Sequence, residues 1–222
     1  MRKTVQIQEL LKKEYSHLTF SELQIEQIRS FLDLLSHWNQ KINLTAITDP
    51  DTLFAKHILD SLAILLDESD TSVFSGRVAD IGSGAGLPGI VLSIVRPELQ
   101  LYSIEKTQKK ITFQQVVKAN LKLTSFYPIA TKVETLISQV NHHQTYDHVV
   151  SRAFTQIGDL LRHSAALLKV NGEAIFWKGE LWRNEWQNTP EDIRLLFSEP
   201  AVSPYQFKSH DTGGFIVRFK RC

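Results

Sequence analysis

Cysteine is almost missing: Cys222 is the only one in 222 residues. An intrachain disulfide and a zinc cluster built on thiolates are therefore excluded. There is no apolar run long enough to span a bilayer. The start, Met1-Arg2-Lys3-Thr4-Val5-Gln6-Ile7-Gln8-Glu9, has basic residues with no continuous apolar segment behind them, so no signal peptide is expected. Excess charge is absent too. Lys and Arg number 25 against 24 Asp and Glu, a net +1, which is not the footprint of a strongly basic nucleic-acid-binding domain. Internal repeats and low-complexity tracts are also lacking. What remains is ordinary for a globular protein, with 42% hydrophobic and 22% charged residues. A cytoplasmic protein without membrane contact is the simplest expectation, and the length suits one α/β domain with a small attachment.

Charge is mildly segregated. Residues 1–75 carry 7 Lys and Arg against 11 Asp and Glu, and residues 76–222 carry 18 against 13, for net charges of −4 and +5. A polyanion should meet the second part or the seam between them. In the first part, Ser21-Glu22-Leu23-Gln24 has the form of a capping box, followed by an apolar face of Ile25, Ile28, Phe31, Leu32, Leu35 and Trp38. A shorter helix is expected around Ile7 to Tyr15, and another over Leu53 to Leu66 that sets His57 and Asp60 three apart on one face. From Arg77 onward strand-like and helix-like segments alternate, which predicts a parallel sheet with helices on both faces. The expected strands are Val78 to Ile81, Leu99 to Ile104, Phe126 to Thr131, Asp147 to Ser151 and Glu173 to Trp177. Helices are expected over Pro88 to Val95, Thr107 to Ala119 and Thr155 to Leu168, the last ended by Lys169-Val170-Asn171-Gly172. An antiparallel hairpin of Tyr205 to Lys208 and Phe215 to Phe219, turning at Gly213-Gly214, closes the sheet edge.

The most informative stretch is Val78-Ala79-Asp80-Ile81-Gly82-Ser83-Gly84-Ala85-Gly86-Leu87-Pro88-Gly89. It reads as a strand, a tight glycine turn and a helix start. Loops of this kind at the carboxyl end of a first parallel strand hold nucleotide-like ligands. A P-loop is excluded, because Ile90-Val91 stands where Lys-Ser/Thr is needed. A dinucleotide site stays open: Gly84, Gly86 and Gly89 have G-x-G-x-x-G spacing and Glu105 lies at the expected distance. Its match starts late, however, since Gly82 and Gly84 already make the turn. A purely structural turn is the bland alternative. Asp80 facing the loop would repel phosphate and attract an ammonium group, which suits S-adenosylmethionine, a ligand with an amino acid end and no phosphate.

Several other residues are candidates. Glu105, at the end of the second strand, can accept hydrogen bonds from both ribose hydroxyls of an adenosine, or merely pair with Lys109. Val133 and Glu134 follow the third strand, where adenine contacts or simple solvation are both open. Arg152 follows buried Val149-Val150, and a strand-end guanidinium is commonly paired or bound to an anion. Asn43, His57 and Asp60 lie outside the sheet part, where a His-x-x-Asp pair is ordinarily a satisfied surface hydrogen bond. Lys178, before Gly179, faces either a substrate or solvent. His142, His143 and His148 make a weak metal set, and no metal is expected. Absences narrow the chemistry further. Carbon-5 pyrimidine methylation needs a thiolate, and Cys222 is poorly placed. Amino-group methylation of adenine commonly uses an Asn/Asp-Pro-Pro-Tyr/Phe loop, to which Ser203-Pro204-Tyr205 does not conform. A ring nitrogen with a free lone pair needs neither device.

Together these motifs resemble the bacterial small-subunit rRNA guanine-N7 methyltransferase family, also called glucose-inhibited division protein B. The resemblance rests on Trp38-Asn39 with Asn43-Leu44-Thr45, His57-Ile58-Leu59-Asp60-Ser61, the Asp80 to Ile90 segment, Ser93 to Pro97, Val133-Glu134, Ser151-Arg152-Ala153-Phe154 and Lys178-Gly179. It implies a class I S-adenosylmethionine-dependent methyltransferase fold, a Rossmann-like and mostly parallel sheet with an antiparallel C-terminal hairpin, over 76–222, preceded by a helical part, 1–75. It implies S-adenosylmethionine as cofactor and a guanosine in the decoding-region loop of 16S rRNA as target, met on RNA or on the small ribosomal subunit, by a protein expected to be monomeric. Cofactor positions carried over by the resemblance are Gly82, Leu87, Val133, Glu134 and Arg152, beside Asp80, Gly84 and Gly86 from the glycine stretch and Glu105 from the end of the second strand. Asp60 becomes the candidate for stabilising charge on the purine, with Asn43 and His57 orienting it and Lys178 near the substrate. Departures are modest: Glu105 stands where a shorter Asp is frequent, Lys132 where Arg is expected, and Gln108-Lys109-Lys110 where Gly-Lys-Arg is usual. A small-molecule methyltransferase and a non-catalytic rRNA-binding assembly protein are the rival readings, and fold does not separate them.

Overall fold

Strand segments from Arg77 onward are apolar at consecutive positions, as strands covered on both faces must be. In the computed structural model, which describes residues 4–66, 74–152 and 154–222, they form one sheet. The order of elements is α1 (Thr4–Glu14), α2 (Glu22–Ile42), α3 (Pro50–Leu53), a π-helical turn Phe54–Leu59 continued by a 3₁₀ segment Asp60–Leu65, β1 (Arg77–Ile81), α4 (Gly89–Val95), β2 (Gln100–Glu105), α5 (Gln108–Leu121), β3 (Phe126–Ala130), α6 (Val133–Leu136), β4 (Tyr146–Arg152), α7 (Ile157–Leu167), β5 (Leu168–Lys178), α8 (Trp182–Gln187), α9 (Glu191–Arg194), β6 (Ala201–Gln206) and β7 (Gly213–Lys220). Among the described residues seven strands lie in the order β3-β2-β1-β4-β5-β7-β6. The first five are parallel; β7 runs antiparallel between β5 and β6. The expected α/β architecture with its C-terminal hairpin is therefore present. Because the chain runs outward from β1 to β3 and returns to β4, strand order reverses between β1 and β4, and a crevice opens there at the strands' carboxyl ends.

The period-2 alternation sorts side chains onto two faces. Val78, Leu101, Val150, Ile175 and Trp177 join the core under α1, α2, α4, α5 and the 54–65 segment. Ala79, Ile81, Ile104, Val149, Ala174 and Phe176 join the core under α7 and α8. The capping box at Ser21 forms as expected, and its Gln24 does a second job. While Gln24 Oε1 accepts from the Ser21 N–H, its Nε2 donates to the Ile94 and Val95 carbonyls at the end of α4. Gln27 Nε2 likewise donates to the Leu121 carbonyl ending α5, at 2.7 Å. Helix α2 thus satisfies carbonyls that two other helix ends leave open, which fixes the helical part against the sheet.

Two expectations are corrected. Lys169-Val170-Asn171-Gly172 does not end α7 in a loop: these residues are the start of the long strand β5, where the Asn171 N–H bonds Arg221 O and the Arg221 N–H bonds Gly172 O. Gly213 and Gly214 lie within β7 and pair with Gln206 and Tyr205, so the hairpin turns before them. Helices α8 and α9 intervene between β5 and β6, held by Trp182, Trp186 and Ile193 in the core. The 53–66 segment is helical but not regular. Its π turn, marked by the Asp60 N–H bonding Ala55 O, is a rare form found mostly as single turns at functional sites.

Candidate functional site

A cavity of about 500 Å³ occupies the crevice at the carboxyl ends of β1 to β4. Its floor is the glycine turn, Gly82 to Ala85 with Leu87. One flank is Glu105 to Thr107 with Lys110, continued by Thr131 to Glu134. The opposite flank is Leu44, Thr45 and His57 from the helical part, with Arg152 and Phe154 from the end of β4. Of the residues expected from the sequence, Gly82, Gly84, Leu87, Glu105, Val133, Glu134, Arg152 and His57 meet around this one space.

The turn is braced from below. Gly82 and Ser83 N–H groups both bond Ile104 O, and Ser83 Oγ accepts from Ser103 Oγ at 2.7 Å and from Gln114 Nε2 at 3.0 Å. Gln114 Nε2 also donates to Gly84 O. Gly82 and Gly84 sit at φ +68° and +58°, where a Cβ is strained. Nothing lies within 4 Å of where a Gly84 Cβ would stand, so at that point the backbone borders open space. Glu105 clamps the two loops together: Oε2 accepts the Gly84 N–H at 3.1 Å, and Oε1 accepts the Thr107 N–H at 2.8 Å. Each oxygen keeps a further lone pair for a ligand hydroxyl.

On the other flank Arg152 organises the helical part. Its Nη1 donates to Lys56 O at 2.6 Å and to Asp60 Oδ2 at 3.0 Å, and Nη2 lies 3.4 Å from His57 Nδ1. A guanidinium only donates, so Nδ1 accepts and the Nε2–H is left to donate to Thr45 Oγ1, 3.0 Å away. His57 is accordingly held neutral. Burial, with the Arg152 charge second, lowers its pKa to about 4. Tyr205 donates to Asp60 Oδ1 and the Trp177 indole N–H to Asp60 O. Desolvation and the Asp60 charge hold the Tyr205 hydroxyl far above its ordinary pKa.

Five expected site residues do not line the cavity. Asp80 is fully buried on the α4 face of β1; its Oδ2 accepts the Gly89 N–H at 2.9 Å, so it supports the start of α4 from beneath the turn instead of facing a ligand. Burial raises its pKa to about 7. Gly86 has its Cβ direction filled by Ile90, 2.3 Å away, and faces α4. Asn43 ends α2 in the left-handed conformation at φ 50°, presenting Leu44 and Thr45 to the cavity. Asp60 is engaged behind Arg152 and His57 by the bonds just described. Lys178 falls on the opposite face from Trp177 by strand alternation and bonds Glu185 and Thr155 O, each at 2.7 Å. Sequence reasoning passed over Thr45 as an individual residue, although it lies inside one of its motifs. Of the weak histidine set, His142 pairs with Tyr146 and His148 is buried against Phe74. Among the described residues no helix is long and apolar enough to cross a membrane.

A family model described as rRNA small subunit methyltransferase G matches residues 24–209. The chain is 35% identical to the ribosomal RNA small subunit methyltransferase G of Desulfitobacterium hafniense over 85% of this chain and 77% of that protein. It is 39% identical to that of Methylobacillus flagellatus over 72% of this chain and 74% of that protein. Among solved structures, a putative S-adenosylmethionine-dependent methyltransferase from Methanococcus maripaludis superposes with a TM-score of 0.58 at 14% identity, covering 92% of this chain and 96% of that one.

Proposed function

Because this chain belongs to the rRNA small subunit methyltransferase G family, we propose that it transfers a methyl group from S-adenosylmethionine to N7 of a guanosine in the decoding-region loop of 16S rRNA. The observation that carries the reading is the bracket of Gly84 and Glu105 at the cavity floor. A ligand backbone can rest on Gly84 where a side chain would intrude, while Glu105 offers acceptors to ribose hydroxyls. The residues present fit the cofactor on that chemistry. Val133 and Glu134 would border its adenine, Leu87 and Gly82 its methionine end. S-adenosylmethionine supplies, when bound, an electrophilic methyl on a sulfonium.

The protein's own part is binding, orientation and exclusion of water. Guanine N7 has an unprotonated lone pair, so no general base is required. His57 is neutral at physiological pH and, with Thr45, presents a fixed polar edge whose direction Arg152 sets. Positioning of this kind is worth orders of magnitude in rate when reacting atoms are held close and aligned. Asp60 acts one step back, holding Arg152. In this reading residues 1–75 form a helical part that completes the cavity wall of a Rossmann-like domain, 76–222, and the protein works as a cytoplasmic monomer on RNA or small ribosomal subunits.

The test is methyl incorporation from labelled S-adenosylmethionine into small ribosomal subunits from a strain lacking the protein, mapped by nucleoside analysis. A single N7-methylguanosine in the decoding-region loop is expected. Methylation of a small molecule without RNA, or rRNA binding with no transfer, would replace this reading by one of its rivals.

A further inference from the structure

Phe154 is unusual among the aromatic residues of the sheet domain. It is 44% exposed and stands in the wall of the cavity. Phe176 and Phe219 pair with other rings in the core, whereas Phe154 has no such pairing among the described residues. Its position is nonetheless defined. A Cβ on Gly82 would stand 2.3 Å from the Phe154 ring, so the ring lies against the turn in space that only a glycine leaves vacant. One side of the ring is backed by the turn, and the exposed remainder borders the cavity on the His57 and Thr45 flank, across from Glu105.

We propose that Phe154 is the aromatic face on which the target guanine stacks, and that its ring stabilises the positive charge the purine acquires. This rests on the methyl-transfer reading above. In that transfer the bond from sulfur to the methyl carbon breaks, its electron pair stays on sulfur as a neutral thioether, and the N7 lone pair forms the new bond to carbon. The purine becomes a cation. Base–aromatic stacking needs only a π-face and is sequence-tolerant. An aromatic face also attracts a cation through its quadrupole, so the contact strengthens as the reaction proceeds, the condition for an interaction to raise the rate. Among the described residues that line this flank, Leu44, Thr45, His57, Arg152 and Phe154, none is acidic, and Arg152 holds Asp60, so the ring offers a π-face there that can favour a cation.

The experiment compares Phe154→Leu, Phe154→Tyr and wild type, after thermal melts show that all three fold. Single-turnover methylation of unmethylated small ribosomal subunits should fall about tenfold in Phe154→Leu and stay within about threefold in Phe154→Tyr. Calorimetric affinity for S-adenosylmethionine should change by less than about twofold in both. As a readout independent of turnover, saturation-transfer NMR with the cationic nucleoside 7-methylguanosine should give a signal with wild type and Phe154→Tyr that is lost in Phe154→Leu. A Phe154→Leu protein with wild-type rate and nucleoside signal overturns the proposal. So does a rate loss matched by lost cofactor affinity, which would place the ring in the cofactor's half of the cavity. If wild type methylates no subunits, the methyl-transfer reading fails, and the NMR comparison still judges the ring.

Discussion

Arg152 and Asp60, 92 residues apart in sequence, meet at 3.0 Å and join the end of the fourth strand to the helical part. Both side chains are only 14% exposed. Through this contact the sheet domain dictates where His57 and Thr45 stand, since Arg152 also reaches Lys56 O and His57.

Asp60→Ala leaves a mostly buried guanidinium without its counter-charge, and Tyr205 without its acceptor. Removal of one partner from a buried pair costs about 3–5 kcal/mol, discounted slightly here for residual exposure. Asp60→Asn keeps the shape and an acceptor and should lose about 1–3 kcal/mol. Urea unfolding checks both. Methyl transfer should fall with stability in the alanine variant, because His57 loses its support; native stability in Asp60→Ala would remove the pair from the frame of the site.

The pH dependence of stability should contain two opposing contributions. His57 is neutral in the fold, its pKa lowered to about 4 chiefly by burial, while the unfolded chain takes up a proton near pH 6.5. The unfolded state therefore binds more protons between about pH 4 and 6.5, and stability rises with pH there. Asp80 has the reverse sign. Burial raises its pKa to about 7, so the folded state binds more protons from its unfolded pKa near 4 upward, and its contribution is lost as pH rises through 7. Denaturant melts across pH 4.5–7 should show His57→Asn losing stability with rising pH and Asp80→Asn gaining it. Equal slopes in the two variants would contradict these assignments.

Gly82→Ala and Gly84→Ala should separate strain from crowding. Both place a Cβ at positive φ, at a cost of about 1–2 kcal/mol. Only at Gly82 does the new carbon also strike the Phe154 ring, at 2.3 Å; at Gly84 it meets nothing within 4 Å. Gly84→Ala should lose cofactor affinity with modest loss of stability, because the methyl group enters the cavity. Gly82→Ala should lose more stability. Melting temperatures and calorimetry read the two effects, and an identical loss of melting temperature in both would contradict the Phe154 contact.

Glu105→Gln should retain more function than Glu105→Ala. The carboxylate accepts from both Gly84 and Thr107, and an amide replaces one acceptor by a donor. Affinity for S-adenosylmethionine should drop by about 1–3 kcal/mol in Glu105→Ala, and by less in Glu105→Gln. Calorimetry on the folded variants decides; unaltered affinity in Glu105→Ala would remove this carboxylate from the ligand's contacts.

Much of this protein was legible in the residue order. Consecutive apolar positions around Val78 and Val149, glycines that alone tolerate the turn, and the Ser21 capping box are local requirements, met within a few residues of where they arise. That Gly82, Glu105 and Val133 meet around one cavity agrees with those local requirements, because parallel strands deliver their carboxyl ends to one edge. Helices α8 and α9 were not legible: short segments carry little periodicity, and burial of Trp182 and Trp186 settles them.

The roles of Asp60, Asp80 and Lys178 were decided by tertiary structure. Each is a charged residue beside a motif, and sequence gives such a residue two neighbouring faces without saying which is empty. Strand alternation sent Asp80 toward α4 and Lys178 toward α8, where Gly89 and Glu185 wait as partners. A partner 92 residues away took Asp60. Burying a charge is unfavourable unless it is paired, so the packed chain, which alone determines what lies opposite, turned three expected ligand contacts into supports and left His57, Thr45 and Phe154 to face the cavity.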